Sequence, residues 1–314
     1  MAGVSTATVT RALSTPEVVR PDTRERVREV AASLGYHPNR AARGLITGRT
    51  GNLGLLVPDL ANPFFPSIVK GVQSRAHEAD HAVFLADTDE DVAAEAGLVR
   101  KLAKQVDGMV LCSPRMAEPE LRKLAAEVPT VLVYRRIPGV PSVTAEFLDG
   151  MRQAVNHLVA LGHKEIAYVA GPRSSWANRE RVRSLRAVTR KAGVELAEMG
   201  NVAPQFHGGV SVADRVLAAK VTAVIAYNDL VALGLLHRFA ARGVAVPGDV
   251  SVLGFDDIPL AEMVHPALTT VALPKEEAGQ AGVDLLLRLL DGHQEVRREL
   301  PTQLMVRGST GPAR

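Results

Sequence analysis

The sequence predicts an α/β protein of two lobes fronted by a small all-helical unit. Three observations lead there. The chain has 314 residues, too many for one ordinary core and enough for two or three compact units. From about residue 52, short apolar runs alternate with helix-period segments, and the alternation runs through two rounds. The first fifty residues instead carry short helical segments, tight turns and interleaved arginines.

In the helical front, Ser5 suits an N-cap and Thr6–Leu13 can follow as a short helix, closed by Pro16. Pro21 opens a second helix to Leu34. Val27, Val30, Ala31 and Leu34 give it one apolar stripe, and Gly35 stops it. Pro38 opens a third segment, Asn39–Leu45, ending before Gly48. Charge is concentrated in this region. Residues 1–50 hold eight arginines against four carboxylates, whereas the rest of the chain has 29 basic and 30 acidic residues. A basic arm on a near-neutral body suits a nucleic-acid reader, and a solvated helix face is the competing reading.

Three blocks carry a family likeness: Gly3-Val4-Ser5-Thr6-Ala7-Thr8-Val9-Thr10-Arg11-Ala12-Leu13; Thr23-Arg24-Glu25-Arg26-Val27; and Leu34-Gly35-Tyr36-His37-Pro38-Asn39, followed by Ala42-Arg43, Leu45 and Thr47-Gly48-Arg49-Thr50. At these spacings the chain resembles the LacI/GalR family of bacterial transcription regulators. The resemblance implies a helix-turn-helix headpiece over 1–37, a hinge helix and linker over 38–50, and an effector-binding and dimerisation domain over 51–314. It places the helix after Ser5 in the major groove, with Thr6, Ala7 and Arg11 facing bases. Arg11 can fork onto a guanine edge. Thr8, Thr10 and Asn39 are expected on the DNA backbone. The hinge helix would enter the minor groove beside its twin, with Ala42 allowing close approach and Leu45 as the wedge; an ordinary linker helix is the alternative. Family members normally carry about ten further residues ahead of Ala2-Gly3, forming a first helix, so Met1 is expected to be internal and the headpiece partial.

The body reads as strand Leu53–Val57, helix Pro63–Ala79, strand Ala82–Ala86, helix Val92–Lys104, strand Gly108–Cys112, helix Pro119–Glu127 and strand Thr130–Tyr134. A second round follows: helix Leu148–Leu161, strand Glu165–Ala170, helices Asn178–Ala192 and Val212–Ala219, strand Ala223–Tyr227, helix Leu230–Ala241 and strand Ser251–Phe255. This alternation argues for parallel sheets covered by helices, with a ligand cleft at the strands' carboxyl ends. The resemblance implies a periplasmic-binding-protein-like clamp. Lobe one would be about 51–145 with 273–298, and lobe two about 146–272 with 299–310. The crossings would form a hinge.

Strand ends supply the candidate effector residues. Asp59 follows the first strand, and Phe64 and Phe65 open the next helix, either as ring-stacking faces or as core. Tyr134 ends the last strand of lobe one. Arg179 stands where the resemblance puts an effector-binding arginine, three residues from the lone tryptophan, Trp176. Asn228, Asp229 and Asp256 end strands of lobe two, where carboxylates can each accept two hydroxyl hydrogen bonds from a sugar. Glu146 replaces an aspartate usual in the family.

No cofactor, metal or catalytic residue is assigned. There is no nucleophile elbow, phosphate-cradling loop or dinucleotide fingerprint. His77 and His81 straddle a helix end, and Asp256 and Asp257 are neighbours that point apart. The single cysteine, Cys112, excludes a disulfide framework. The front lacks an export signal and no run reaches membrane-spanning length, so a cytoplasmic protein is expected. The reading is therefore a repressor that binds a near-palindromic double-stranded DNA operator as a homodimer under control of a small molecule, most simply a sugar. The tail from Met305 has no leucine heptads, which argues against a tail-driven tetramer. The rival readings are a receptor with a non-functional headpiece and an α/β enzyme.

Overall fold

A computed structural model describes residues 2–14, 16–35, 48–293 and 297–314. The front is a pair of helices, α1 (Thr6–Ser14) and α2 (Pro21–Ser33), bridged by a 3-10 turn at Pro16–Val18. The Ser5 hydroxyl accepts from the Thr8 amide at 3.2 Å and so caps α1. Ala2, Ala12 and Val27 form a miniature core, with Val4, Val9, Leu13, Val19 and Val30 packed around it.

The body holds two six-stranded sheets. In lobe one the order is β11-β5-β4-β3-β1-β2, where β1 is Asn52–Val57, β2 Ala82–Asp87, β3 Gly108–Cys112, β4 Thr130–Val133, β5 Ser142–Ala145 and β11 Arg297–Leu300. All its pairings are parallel. In lobe two the order is β12-β10-β9-β8-β6-β7, from β6 Glu165–Ala170, β7 Glu195–Asn201, β8 Ala223–Ala226, β9 Ser251–Asp256, β10 Thr269–Ala272 and β12 Gln303–Met305. Only the β10–β12 pair is antiparallel, a departure from the all-parallel expectation that comes from the chain turning back after β11.

Helices cover the sheets. Lobe one has α3 (Phe64–Glu78), α4 (Val92–Leu102) and α5 (Glu118–Glu127). Lobe two has α6 (Phe147–Ala160), α7 (Trp176–Ala192), α8 (Phe206–Ala218), α9 (Asp229–Ala241) and the single turn α10 (Leu260–Met263). The last helix, α11 (Lys275–Leu290), returns to lobe one and lies on α3. Their axes approach closely because Gly71 and Gly279 face each other's backbone; a Cβ on Gly71 would sit 2.1 Å from the Glu276 carbonyl oxygen. The chain thus passes between lobes three times: from β5 to α6, from β10 to α11 and from β11 to β12. Three adjacent crossings restrict the lobes to a hinge-like rotation.

The linker is anchored where it enters lobe one. Asp107 accepts from the Thr50 and Gly51 amides at 2.6 and 2.8 Å and from the Thr50 hydroxyl at 2.9 Å.

Candidate functional site

The carboxyl ends of both sheets meet at a narrow cavity of about 20 Å³. Lobe one contributes Asn62, Phe64, Phe65, Glu90, Ser113, Arg115 and Tyr134; lobe two contributes Ala177, Arg181, Pro204, Tyr227, Asn228 and Asp256. Across its mouth, the Gln205 amide of lobe two donates to Asp59 of lobe one at 3.3 Å.

Arg181 dominates the lobe-two wall. Ser175 caps α7 by accepting the Asn178 amide, and Ala177, Arg181, Ser184 and Leu185 fall on the buried side of that helix. The guanidinium is only 4 % exposed. It lies 3.9 Å from the Phe255 ring centre, 4.9 Å from that of Tyr227 and 5.4 Å from that of Phe147. Nη1 donates to the Tyr227 carbonyl and Nη2 donates to Asp256 Oδ1 at 3.2 Å. Nε has no partner. Burial pushes the Asp256 carboxyl up to about 6, against the opposing charges of Arg181 and Lys275. Lys275, the first residue of α11, donates to the Asp256 and Asp257 carbonyls at 2.6 and 2.7 Å and so locks the middle crossing to the site.

The opposite wall is aromatic and ionic. Phe64 packs on Phe65 and Tyr134 with ring centres 5.2 and 5.5 Å apart. Arg115 grips Glu90 through Nε and Nη2 at 2.9 and 2.7 Å. Buried Glu95 accepts the Arg115 and Met116 amides and so fixes the loop that presents this arginine. Of the eight non-glycine residues with positive φ among the described residues, four line this cavity: Glu90, Ser113, Tyr134 and Asp256. Such conformations cost about 1–3 kcal/mol each and concentrate at functional sites.

Chemically, the cavity pairs an unpartnered buried N–H on Arg181 with a carboxylate whose Oδ1 alone is engaged by Arg181. A hydroxyl can accept from the first and donate to the second, while the rings cover an apolar face.

At the chain's other end, the exposed residues of α1 are Thr6, Ala7, Thr10 and Arg11, one face of the helix, while Thr8 is half-buried.

Comparison with known proteins bears on both ends. The pattern of bacterial regulatory proteins of the lacI family matches residues 1–39, and that of the periplasmic binding protein-like domain matches 155–310. The chain is 31% identical to catabolite control protein A of Priestia megaterium, covering 92% of this chain and 90% of that protein. The chain belongs to the LacI family. Among solved structures, the lac repressor dimer bound to operator and the anti-inducer ONPF matches with a TM-score of 0.87 at 30% identity, over 99% of this chain and 96% of that one. The complex of the regulator CelR with cellobiose gives 0.75 at 34% identity, over 98% and 97%.

Within this LacI-family chain, Phe64, Phe65, Tyr134, Asn228 and Asp256 line the cavity. Four other residues named from sequence do not. Asp59 stands at the mouth and is engaged by the Ala61 amide and Gln205. Trp176 is half-buried against Phe147 in an adjoining groove. Asp229 is sealed behind the strands, accepting from the Thr270 hydroxyl at 2.6 Å and the Ile258 amide at 2.8 Å, and burial, with the charge of Asp256, pushes it up to about 8. Arg179 requires a correction. It is exposed outside the cavity, and its guanidinium turns back onto the Arg173 and Ser174 carbonyls. Two residues turn a helix by about 200°, so Arg181 is the arginine on the cleft side. Arg115, Glu90 and Tyr227 were also missed. Tyr227 was legible as a strand end, whereas Arg115 and Glu90 sit in loops without periodicity. Asn39, Ala42 and Leu45 lie outside the described residues.

Proposed function

We propose that this chain is a transcription repressor whose hold on an operator is set by a sugar bound between its lobes. Arg181 carries the reading. A cation buried at the lobe junction, stacked among three rings and bonded to Asp256, is an arrangement for a polyol with apolar faces. The cellobiose complex of CelR supports the sugar class.

Ligand pockets typically measure about 300–1,000 Å³, so a cavity of 20 Å³ has to open to admit one. Opening about the three crossings moves α11 and the linker anchor at Asp107 relative to lobe two. The sugar thereby biases how two headpieces are held on a near-palindromic duplex. We assign the base-facing role to Thr6, Ala7 and Arg11, and backbone contacts to Ser5, Thr8 and Thr10. The homodimer forms through the outer edge of lobe one. There β2 is a terminal strand yet apolar, with Phe84 and Leu85 37 % and 39 % exposed.

We place this chain in the cytoplasm, as its reading as a regulator of DNA requires, and a purely binding role is supported by the acids of the cavity. Asp256 and Glu90 are each held by an arginine, and Asp229 is sealed away, so no free acid–base pair faces a substrate among the described residues. No helix among the described residues is long and apolar enough to cross a membrane.

The test combines a thermal-shift panel of mono- and disaccharides with fluorescence anisotropy on duplexes selected from a random pool. One sugar is expected both to raise the melting temperature and to change duplex affinity by about 5–150-fold, the usual range of allosteric coupling. Duplex binding should weaken steeply with salt. A duplex affinity indifferent to every sugar that stabilises the protein would remove the regulatory reading.

A further inference from the structure

The outer face of lobe two carries a second concavity, a groove of about 680 Å³ between α7 and the terminal strand β7. Its walls are arginine. Arg179, Arg183, Arg186 and Arg190 recur at intervals of four, three and four along one face of α7, and Arg173 joins them from the preceding loop. Its floor is small and apolar: Ala170, Val182, Ala187 and Gly200.

Few of these charges are neutralised. Glu198 is the one acidic residue lining the groove, and Arg186 takes both its oxygens at 2.6 and 2.8 Å. Arg183 leans on Glu180 beside the groove. Arg179 bonds only to backbone carbonyls, and Arg173 bonds to the Asn201 amide oxygen at 3.2 Å. The Arg190 guanidinium has no partner among the described residues. Five arginines therefore face two carboxylates, although the remainder of residues 51–314 has 24 basic residues against 28 acidic ones. The excess is local, on a body of opposite sign. Like charges three and four apart weaken a helix, and only Arg183 and Arg186 of this row are paired with a carboxylate among the described residues. The charge of Arg179 also reaches lobe one, where it adds to burial in depressing Arg135 to about 10.

We infer that this groove binds a phosphorylated small molecule, its phosphate held by Arg173 and Arg179 at one end, its body resting on the Ala170–Val182–Ala187 floor and its far end met by Arg190. Planar guanidinium forks match the spacing of phosphate oxygens, and Arg173, Arg179 and Arg190 line this groove with no carboxylate bound to them among the described residues. The volume suits a sugar phosphate or a nucleotide rather than a bare ion. The site is separate from the interlobe cavity. Arg181, on the opposite side of α7, belongs to that cavity.

The test is isothermal titration calorimetry of the full chain at fixed ionic strength with inorganic pyrophosphate, ribose 5-phosphate and ribose. Both phosphorylated probes should bind one per chain and ribose should not use this groove. The double variant Arg179→Gln, Arg190→Gln should lose at least tenfold in affinity, and Arg173→Gln should move it the same way. Arg181→Met should leave it unchanged. All the substituted groove residues lie at the surface, and an unaltered unfolding midpoint by Trp176 fluorescence confirms intact lobes. Retained affinity in the double variant overturns the inference. So does a loss confined to Arg181→Met, which places the anion in the interlobe cavity. A parallel loss of duplex-DNA binding in the groove variants assigns the arginines to nucleic acid and equally overturns it.

Discussion

Replacing Arg181 by Met keeps a side chain of similar length among the Phe147, Tyr227 and Phe255 rings but removes the charge that opposes burial of Asp256. In the native protein that carboxyl is raised from 3.8 to about 6. Because its folded value exceeds the unfolded one, its contribution to stability is greatest below about pH 4 and declines as pH rises through 6. Without Arg181 the folded value rises further. Above pH 6 the variant then retains a proton that the parent has released, and each pH unit widens the stability gap by up to about 1.4 kcal/mol. At pH 8 the pH-dependent part of the gap reaches about 3 kcal/mol, or roughly 6–12 °C in melting temperature for a lobe of this size. A pH-independent offset from the lost bond to the Tyr227 carbonyl adds to it. Urea unfolding of both proteins at pH 6, 7 and 8, followed by fluorescence of the single tryptophan in lobe two, measures the gap. The comparison is sharpest in an Asp229→Asn background, where the coupled neighbour no longer titrates. A gap that stays constant or narrows between pH 6 and 8 refutes the assigned pairing. The same variant should lose the sugar-induced thermal shift.

Asp229→Asn by itself should flatten the fall in stability between about pH 4 and 8, because Asp229 is raised to about 8 and sheds stability as it ionises. Asparagine preserves both contacts, accepting from Ile258 and donating to Thr270, so a pH profile identical to the parent's counts against the titration. Gly71→Ala drives a methyl into the Glu276 carbonyl and should cost about 1–3 kcal/mol in urea unfolding; a neutral result would mean that α3 and α11 are not packed as described. Arg11→Ala should cost about 1–3 kcal/mol against the preferred duplex and much less against a random one, measured by anisotropy; equal losses would make Arg11 a phosphate contact.

The sequence revealed β1–β4, β6, β8 and β9, the apolar terminal strand β2 among them, and concealed the short interior strands β5 and β10 and the rims β7, β11 and β12. Leu53–Val57, Gly108–Cys112 and Ala223–Ala226 are sheathed on both faces and so appear as unbroken apolar runs. Strands β7 and β11 end their sheets and are largely exposed; Glu195–Asn201 and Arg297–Leu300 consequently carry charges and no apolar run. At the candidate site, Phe64, Tyr134, Asn228 and Asp256 could be named because each follows or ends a legible strand. Position in the family likeness points to Arg179, whereas helix phase points to Arg181. With Ala177 and Leu185 as the apolar reference, phase puts Arg181 inward and the row from Arg179 to Arg190 outward. Arg115 needed tertiary structure, since its loop is held by groups distant in sequence: the carboxylates of Glu90 and Glu95 and the guanidinium of Arg135.

Strands β11 and β12, drawn from residues 297–305, are rim strands of different lobes, and the residues that follow thread into lobe two, where Ser309 and Gly311 bond to Val252 and Ser251. Neither half of the clamp can therefore finish folding before residues 297–305 have left the ribosome. Both await that one short segment and then close almost together. Until that moment an unpaired β5 rim and an unpaired β10 rim coexist on one nascent chain, which makes the interval before those residues emerge a period of high demand on chaperones.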